Sequence, residues 1–263
     1  MANDSIGRTF GVALGVCLVC SVLVSAAAVS LRPTQAVNKA LDKKRNILMA
    51  AGLIKADEVV DGAQIEERYQ NIKPRVVELA TGDYVDGIDP VAYDQRRAAK
   101  DPALSVAISP DKDPASVKRR ALRASVYLVE QKGKIKKVIL PVHGLGLWST
   151  LYGFIALDAR DINTIRGLVY YEHAETPGLG GEVDNPSWKA LWDGKHAFGE
   201  DGSIRIDVIK GKVVPGRPEA IHQVDGLSGA TITARGVENM LRYWLSPEGF
   251  GPYLARLKEQ GVS

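Results

Sequence analysis

Residues 10–31 read FGVALGVCLVCSVLVSAAAVSL and carry no charge. An apolar run of about 22 residues is long enough, as a helix, to cross a hydrocarbon core of about 30 Å. Arg8 and Arg32 bracket it. The rest of the chain therefore hangs from a segment suited to a bilayer or to a secretory signal. Ser25, Ala26, Ala27 and Ala28 offer small residues for signal cleavage. A signal core, however, is usually about 7–15 residues long and follows a more basic leader. Length favours a retained single-pass anchor. Arg32, Lys39, Lys43, Lys44 and Arg45 follow the run, whereas only Arg8 and the amino terminus precede it. This bias would hold the following domain in the cytoplasm, although long domains translocate largely regardless of charge.

The remaining chain is long enough for one sizeable core or a core with an appendage. Its composition, 45% hydrophobic and 25% charged, is that of a globular protein. A net charge of +3, with no basic tract interleaved with aromatics, does not point to nucleic acid. Cys17 and Cys20 both lie inside the apolar run, so the rest of the chain has no thiol for a disulfide or a cluster. Four His and two Cys, widely scattered, do not make a metal-ligand set.

Hydrophobic periodicity predicts a helix over 37–53 and a weaker one over 65–79, ended or kinked by Pro74. Residues 81–115 are rich in Asp, Pro and Ala and read as loop with short elements. From Arg123 the pattern changes. Strands are expected at 126–129 and 135–142, joined by Gln131-Lys132-Gly133-Lys134, and again at 147–157 and 165–171. A short helix is expected at 187–192. An alternating strand at 204–208 should turn through Lys210-Gly211 into 213–214. Helices are expected at 231–245 and 252–260. Strands and helices mix without a βαβ repeat, so the class is α+β. Three regions result: a transmembrane helix at 10–31, a helical and irregular region at 32–122, and a domain at 123–263.

Three segments carry possible chemistry. Asp225-Gly226-Leu227-Ser228-Gly229-Ala230-Thr231 immediately precedes a helix whose apolar face is Val237, Met240, Leu241 and Trp244. Glycines let backbone approach a ligand, and a helix start offers unpaired N–H groups to a phosphate. Taken alone, this segment reads more simply as a turn with Thr231 or Ser228 as helix cap. His173-Ala174-Glu175-Thr176-Pro177-Gly178-Leu179-Gly180-Gly181 follows a strand. It is either a glycine-rich turn or a loop laying amides and Leu179 against a flat ring. His173 is a possible ligand or base, though a lone His is more often structural. In Pro141-Val142-His143-Gly144-Leu145-Gly146-Leu147-Trp148-Ser149, glycines alternate with bulky residues, which permits a planar ligand beside the backbone. This is no dinucleotide fingerprint.

Together and in this order, PVHGLGLWSTLYGFIALD, GLVYYEHAETPGLGGEV and VDGLSGATITARGV resemble the FMN-binding domain of the covalent-flavin NqrC component of the sodium-translocating NADH:quinone reductase. They also resemble the related FMN-carrying electron-transport component of the Rnf complex. The match covers about 126–245, and the chain length and the region before Arg123 look more like the reductase component. The resemblance implies FMN esterified through its phosphate to Thr231 by a separate flavin transferase. Asp225, Ser228, Gly229 and Ala230 match the transferase's recognition sequence. Glu175, Thr176, Gly178, Leu179 and Gly180 match residues lining the isoalloxazine, and Gly144, Leu145 and Trp148 match the strand beside it. The implied protein is a single-pass bacterial inner-membrane subunit with a periplasmic main domain and other membrane subunits as partners. It would relay electrons in a complex that oxidises NADH, reduces ubiquinone and exports sodium. Two other readings remain: an Rnf-type subunit, and an anchored binding or assembly module without redox chemistry.

Overall fold

The computed structural model describes residues 6–55 and 57–261. The chain divides into two compact units, Met1–Lys43 and Lys44–Ser263. Helix α1 (Ile6–Ala50) contains the uncharged run, with Pro33 inside it. The expected anchor and the helix over 37–53 are thus parts of one element. The side chains of residues 6–40 are exposed, and the helix is apolar and long enough to cross a membrane.

The second unit begins with the end of α1, where Asn46, Ile47, Leu48 and Ala50 are buried. Helix α2 (Gly62–Tyr69) starts at a capping box. Asp61 Oδ1 accepts from Gln64 N–H at 2.8 Å, and Gln64 Oε1 accepts from Asp61 N–H at 3.0 Å. The helix expected over 65–79 ends at Tyr69, and strand β1 (Ile72–Glu78) takes its second half. Pro74 explains the change: it cannot continue a helix, and it sits on an edge strand where a missing N–H is tolerated. Residues 81–115 hold only short elements, α3 (Gln95–Ala98) and β2 (Ser105–Ala107), with β2 pairing to β3 (Arg119–Ala121).

Strands β4 (Arg123–Gln131), β5 (Lys134–Leu145), β6 (Thr150–Asp158) and β7 (Ile165–Glu172) form an antiparallel meander. The sheet order is β1-β4-β5-β6-β7, so the sheet runs across the 122/123 line drawn from sequence. The strand expected from 147 begins at Thr150, because residues 146–149 are needed for the turn: Gly146 N–H donates to Ser149 O at 2.8 Å.

Both sheet faces are buried. Val126, Leu128, Val138, Leu140, Val142, Leu151, Ile155, Leu157, Leu168 and Tyr170 belong to the core that α5 (Thr231–Leu245) and α6 (Gly251–Gln260) complete. Tyr127, Val129, Ile139, Phe154, Ala156 and Val169, of opposite parity, are buried as well. On that face a Cβ on Gly167 would lie 2.7 Å from Ala50 O, and Lys137 Nζ donates to Ala51 O at 2.6 Å. The end of α1 therefore packs on the sheet and is capped by a lysine, as suits the negative end of a helix.

Helix α4 (Pro186–Ala190) shortens the helix expected at 187–192. The strand expected at 204–208 is reduced to β8 (Asp207–Val208). It pairs in parallel with β9 (Gln223–Val224) rather than turning back onto 213–214. Asp225 explains the difference, because its Oδ1 takes the N–H of Val213 at 2.8 Å.

Candidate functional site

Three chain segments meet at one carboxylate. The first is the turn between β5 and β6, the second the loop after β7, and the third the start of α5. Glu175, in the second, is 5% exposed. Its Oε1 accepts from Trp148 N–H at 2.9 Å, Ser149 N–H at 3.0 Å and Ser149 Oγ at 3.1 Å. Leu147 N–H lies 3.2 Å from both oxygens. Oε2 accepts from Thr233 Oγ1 at 2.7 Å. Burial alone would raise this carboxyl's pKa, but the Thr233 hydroxyl and the amides of Trp148, Leu147 and Ser149 outweigh it, and the net shift is downward. The carboxylate is therefore held charged.

Two expected contacts become something else. Glu175 does not offer its oxygens to a ring, because donors from the neighbouring segments occupy them. Gly144 does not flank an open surface; it is buried, and a Cβ on it would meet Met240 Cβ at 2.9 Å and Ala115 Cβ at 3.2 Å. Its role is to let α5 lie close on β5. Gly180 is buried too, and a Cβ there would lie 2.6 Å from Glu175 Oε2 and from Thr233 Oγ1.

The loop after β7 is self-supporting. Thr176 O accepts from Leu179 N–H at 3.1 Å and Gly181 N–H at 2.9 Å, and Gly178 turns the chain at φ +75°. Thr176 and Leu179 are exposed. His173 is a brace rather than a base. Its Nδ1 accepts from Glu175 N–H at 3.2 Å, so Nε2 carries the proton and faces Asp184 Oδ2 at 2.8 Å.

The segment before α5 is pinned from behind. Asp225 holds Val213, and its carbonyl accepts from Trp188 Nε1 at 2.8 Å. Asp225 thus braces the loop from within. Ser228 and Gly229 form the exposed turn, and Gly229 has φ +72°. A Cβ on Gly229 would lie 3.0 Å from Leu179 Cδ2, which brings this turn against the tip of the second loop.

The helix cap expected from sequence is absent. The N-cap is Ala230, which makes no side-chain cap bond, and Thr231 is the first helical residue. Thr231 is exposed, whereas Thr233 is 0% exposed and bound to Glu175. Around this start stand exposed apolar side chains: Leu145, Leu147, Trp148, Leu179 and Ile232, with Trp148 72% exposed. The result is an apolar ledge beside a helix N-terminus. A separate cleft of about 560 Å³, lined by residues such as Glu200, Asp201, Arg205 and Asp207, contains none of these residues.

Leu147, Ser149, Ile232 and Thr233 were not singled out from the sequence. Thr233 follows the motif by two positions, and only the partner 58 residues away reveals its use.

Comparison with known proteins agrees with this geometry. Residues 146–246 match the family model described as FMN-binding domain. The chain is 52% identical to the C-type subunit of the Na(+)-translocating NADH-quinone reductase of Pseudomonas aeruginosa, over 98% of this chain and 99% of the relative. It is 48% identical to the protein of the same name from Vibrio vulnificus, over 100% and 99%. The crystal structure of Shewanella oneidensis NqrC superposes with a TM-score of 0.76 at 38% identity, covering 85% of this chain and 100% of that one. The structure of the same subunit from Parabacteroides distasonis gives 0.64 at 31% identity, covering 85% and 96%. A buried carboxylate tying two loops to an uncapped helix start, an FMN-binding match across those elements and near full-length similarity agree: this chain belongs to the NqrC family of Na(+)-translocating NADH-quinone reductase subunits.

Proposed function

We propose that this flavoprotein subunit holds FMN covalently, through a phosphoester to Thr231, and relays electrons within a reductase that takes electrons from NADH to ubiquinone and exports sodium. One observation carries the attachment point. Of the two threonines in the first turn of α5, Thr231 is exposed at an uncapped start and Thr233 is sealed against Glu175.

The residues present fit the group. With no side-chain cap, the first amides of α5 are available to phosphate oxygens, and the positive end of the helix favours that charge. Ser228 and Gly229 leave open backbone next to Thr231 for a transferase to approach. Leu145, Trp148 and Leu179 would hold the ring and exclude water from one side of it. When bound, FMN supplies the electron acceptance and donation; the protein supplies attachment, orientation and electrostatics. The Thr231 oxygen acts as a tether, which keeps the cofactor from diffusing away.

The anchor is the uncharged part of α1, in the bacterial inner membrane, with the Lys44–Ser263 unit on the periplasmic side and the other membrane subunits as neighbours. Two of the basic residues that argue for the opposite orientation are engaged in folding. Lys44 pairs with Glu66, and Arg45 donates to Glu58 O at 3.3 Å. The relatives named above carry the reductase name rather than the Rnf name, which favours the first reading.

The test is denaturing electrophoresis with in-gel flavin fluorescence after co-expression with a flavin transferase. The wild-type band should fluoresce and the Thr231→Ala band should be dark. A fluorescent Thr231→Ala band sinks the attachment point, and a dark wild-type band sinks covalent flavin. Orientation is read by an impermeant thiol reagent on a Val91→Cys chain in intact cells, since Val91 is well exposed. Labelling only after lysis would place the unit in the cytoplasm.

A further inference from the structure

Glu175 is an anion in an unusual setting. It is nearly fully buried, yet among the described residues its five donors, the amides of Leu147, Trp148 and Ser149 and the hydroxyls of Ser149 and Thr233, are all neutral. A buried carboxylate is tolerated only where such donors replace its water. The donors come from two segments, 26–28 and 58 residues away in sequence. Ser149 Oγ extends the set by accepting from Ala174 N–H at 2.8 Å.

Close packing leaves no second arrangement. A Cβ on Gly146 would lie 2.6 Å from Glu175 Oε1, and Gly180 sits equally near Oε2. The carboxylate thus fills the space between two glycines while its oxygens face opposite segments. Leu147 and Trp148 hang from amides it holds, Leu179 lies four residues along its own loop, and Thr231 lies one half-turn from the hydroxyl it holds.

We propose that Glu175, acting through Thr233 and the 147–149 amides, is a positioning residue that sets the apolar ledge in register with Thr231, so that the tethered ring has one orientation. This rests on the reading of Thr231 as the flavin tether. Attachment itself uses Thr231 and the exposed turn before it, so losing the lock frees the ring without releasing it.

The test uses full-length flavin-loaded protein and three variants, Thr233→Val, Thr233→Ser and Glu175→Gln. In-gel fluorescence reports attachment, visible circular dichroism reports ring orientation, and hydrogen exchange at residues 147–149 reports the lock. Thr233→Val keeps the shape of the side chain and deletes the donor. It should keep a fluorescent band, lose most of the visible dichroism, and exchange those amides about tenfold faster, the factor expected for one hydrogen bond. Glu175→Gln should behave alike, because its amide turns donors toward donors. Thr233→Ser should restore both signals. Wild-type exchange in Thr233→Val overturns the lock. Faster exchange with unchanged dichroism reduces Glu175 to a structural residue and overturns the positioning role. Should Glu175→Gln fail to fold, Ser149→Ala, which removes one hydroxyl from the half-buried turn, is held to the same two readouts. A dark wild-type band is a different failure, of the flavin tether itself.

Discussion

The hydroxyl of Thr233 donates to Glu175 Oε2 at 2.7 Å, 58 positions away in sequence. Thr231 and Thr233 are two residues apart on a helix, so their side chains point about 200° from one another. One must face the sheet if the other faces out. The bond to Glu175 decides which, and it makes Thr231 the threonine available for modification.

That bond also sets a size limit on its neighbours. Gly180→Ala would place a methyl carbon 2.6 Å from both partners, and Gly146→Ala would place one 2.6 Å from Oε1. Each should destabilise the folded unit by about 1–3 kcal/mol, as overpacking does, and lower Tm by about 2–4 °C per kcal/mol at this size. Gly178→Ala meets no atom but must hold φ +75°, a conformation costing about 1–2 kcal/mol. Calorimetry of the three variants checks the order. A wild-type Tm for Gly180→Ala would mean the site is looser than its geometry.

Gly236→Ala tests the approach of α5 to the sheet. In a free helix this change should stabilise by about 1 kcal/mol. Here the new carbon would lie 2.4 Å from Leu145 O and 3.1 Å from Gly146 Cα, both backbone atoms that cannot rotate aside. The sign therefore reverses: a loss of about 1–3 kcal/mol is expected from overpacking. Because α5 carries Thr231, flavin loading should fall with it. Unchanged Tm would contradict the close approach.

Legibility in the sequence followed the range of the interactions. The meander β4 to β7 and helix α5 were readable because their apolar patterns are local and strong. The half-helix, half-strand segment around Pro74 was not, because β1 is a strand only by pairing with β4, as in Val76 opposite Ser125. The parallel β8–β9 pair likewise depends on Asp225 drawing Val213 away. At the site, the motifs picked out the right loops but misjudged Glu175 and Gly144. Local reading sees a polar residue and a glycine as surface chemistry. Only the folded chain shows Glu175 facing inward to amides and Gly144 lying beneath Met240.

Acid should unfold the domain in two stages. The His143 ring stacks on Tyr152 at 5.4 Å and lies 4.9 Å from Trp244. Burial first, and then the Arg96 charge, push its pKa down to about 4. A histidine held neutral in the fold but protonated at about 6.5 when unfolded stabilises above that pH, and the contribution is lost as pH falls toward 4. The Arg160 side chain, helped by the Arg160 amide and Arg166, holds the Asp158 carboxyl well below the usual range against its burial, and the hydrogen bonds to Glu175 act likewise. Those carboxylates stabilise above about pH 4 and fail as pH drops through their folded values. Tm should therefore be flat above about pH 7, fall between 6.5 and 4, and fall more steeply below. In His143→Gln the first limb should flatten. If it persists unchanged, His143 is not its source.

Trp148 separates folding from cofactor seating. Its backbone N–H is anchored to Glu175, but its side chain is 72% exposed. Trp148→Ala leaves the amide and its bond in place, so stability should change by less than about 0.5 kcal/mol, as for an ordinary surface site. The indole is the largest exposed apolar group on the ledge beside Thr231, and stacking an aromatic ring on it would quench flavin emission. In the native protein the flavin of Trp148→Ala should fluoresce more strongly than wild type. After denaturation the two should match, because attachment at Thr231 is untouched. Equal native emission would mean that the ring does not rest on this side of the ledge, and the burden of holding it would pass to Leu145 and Leu179.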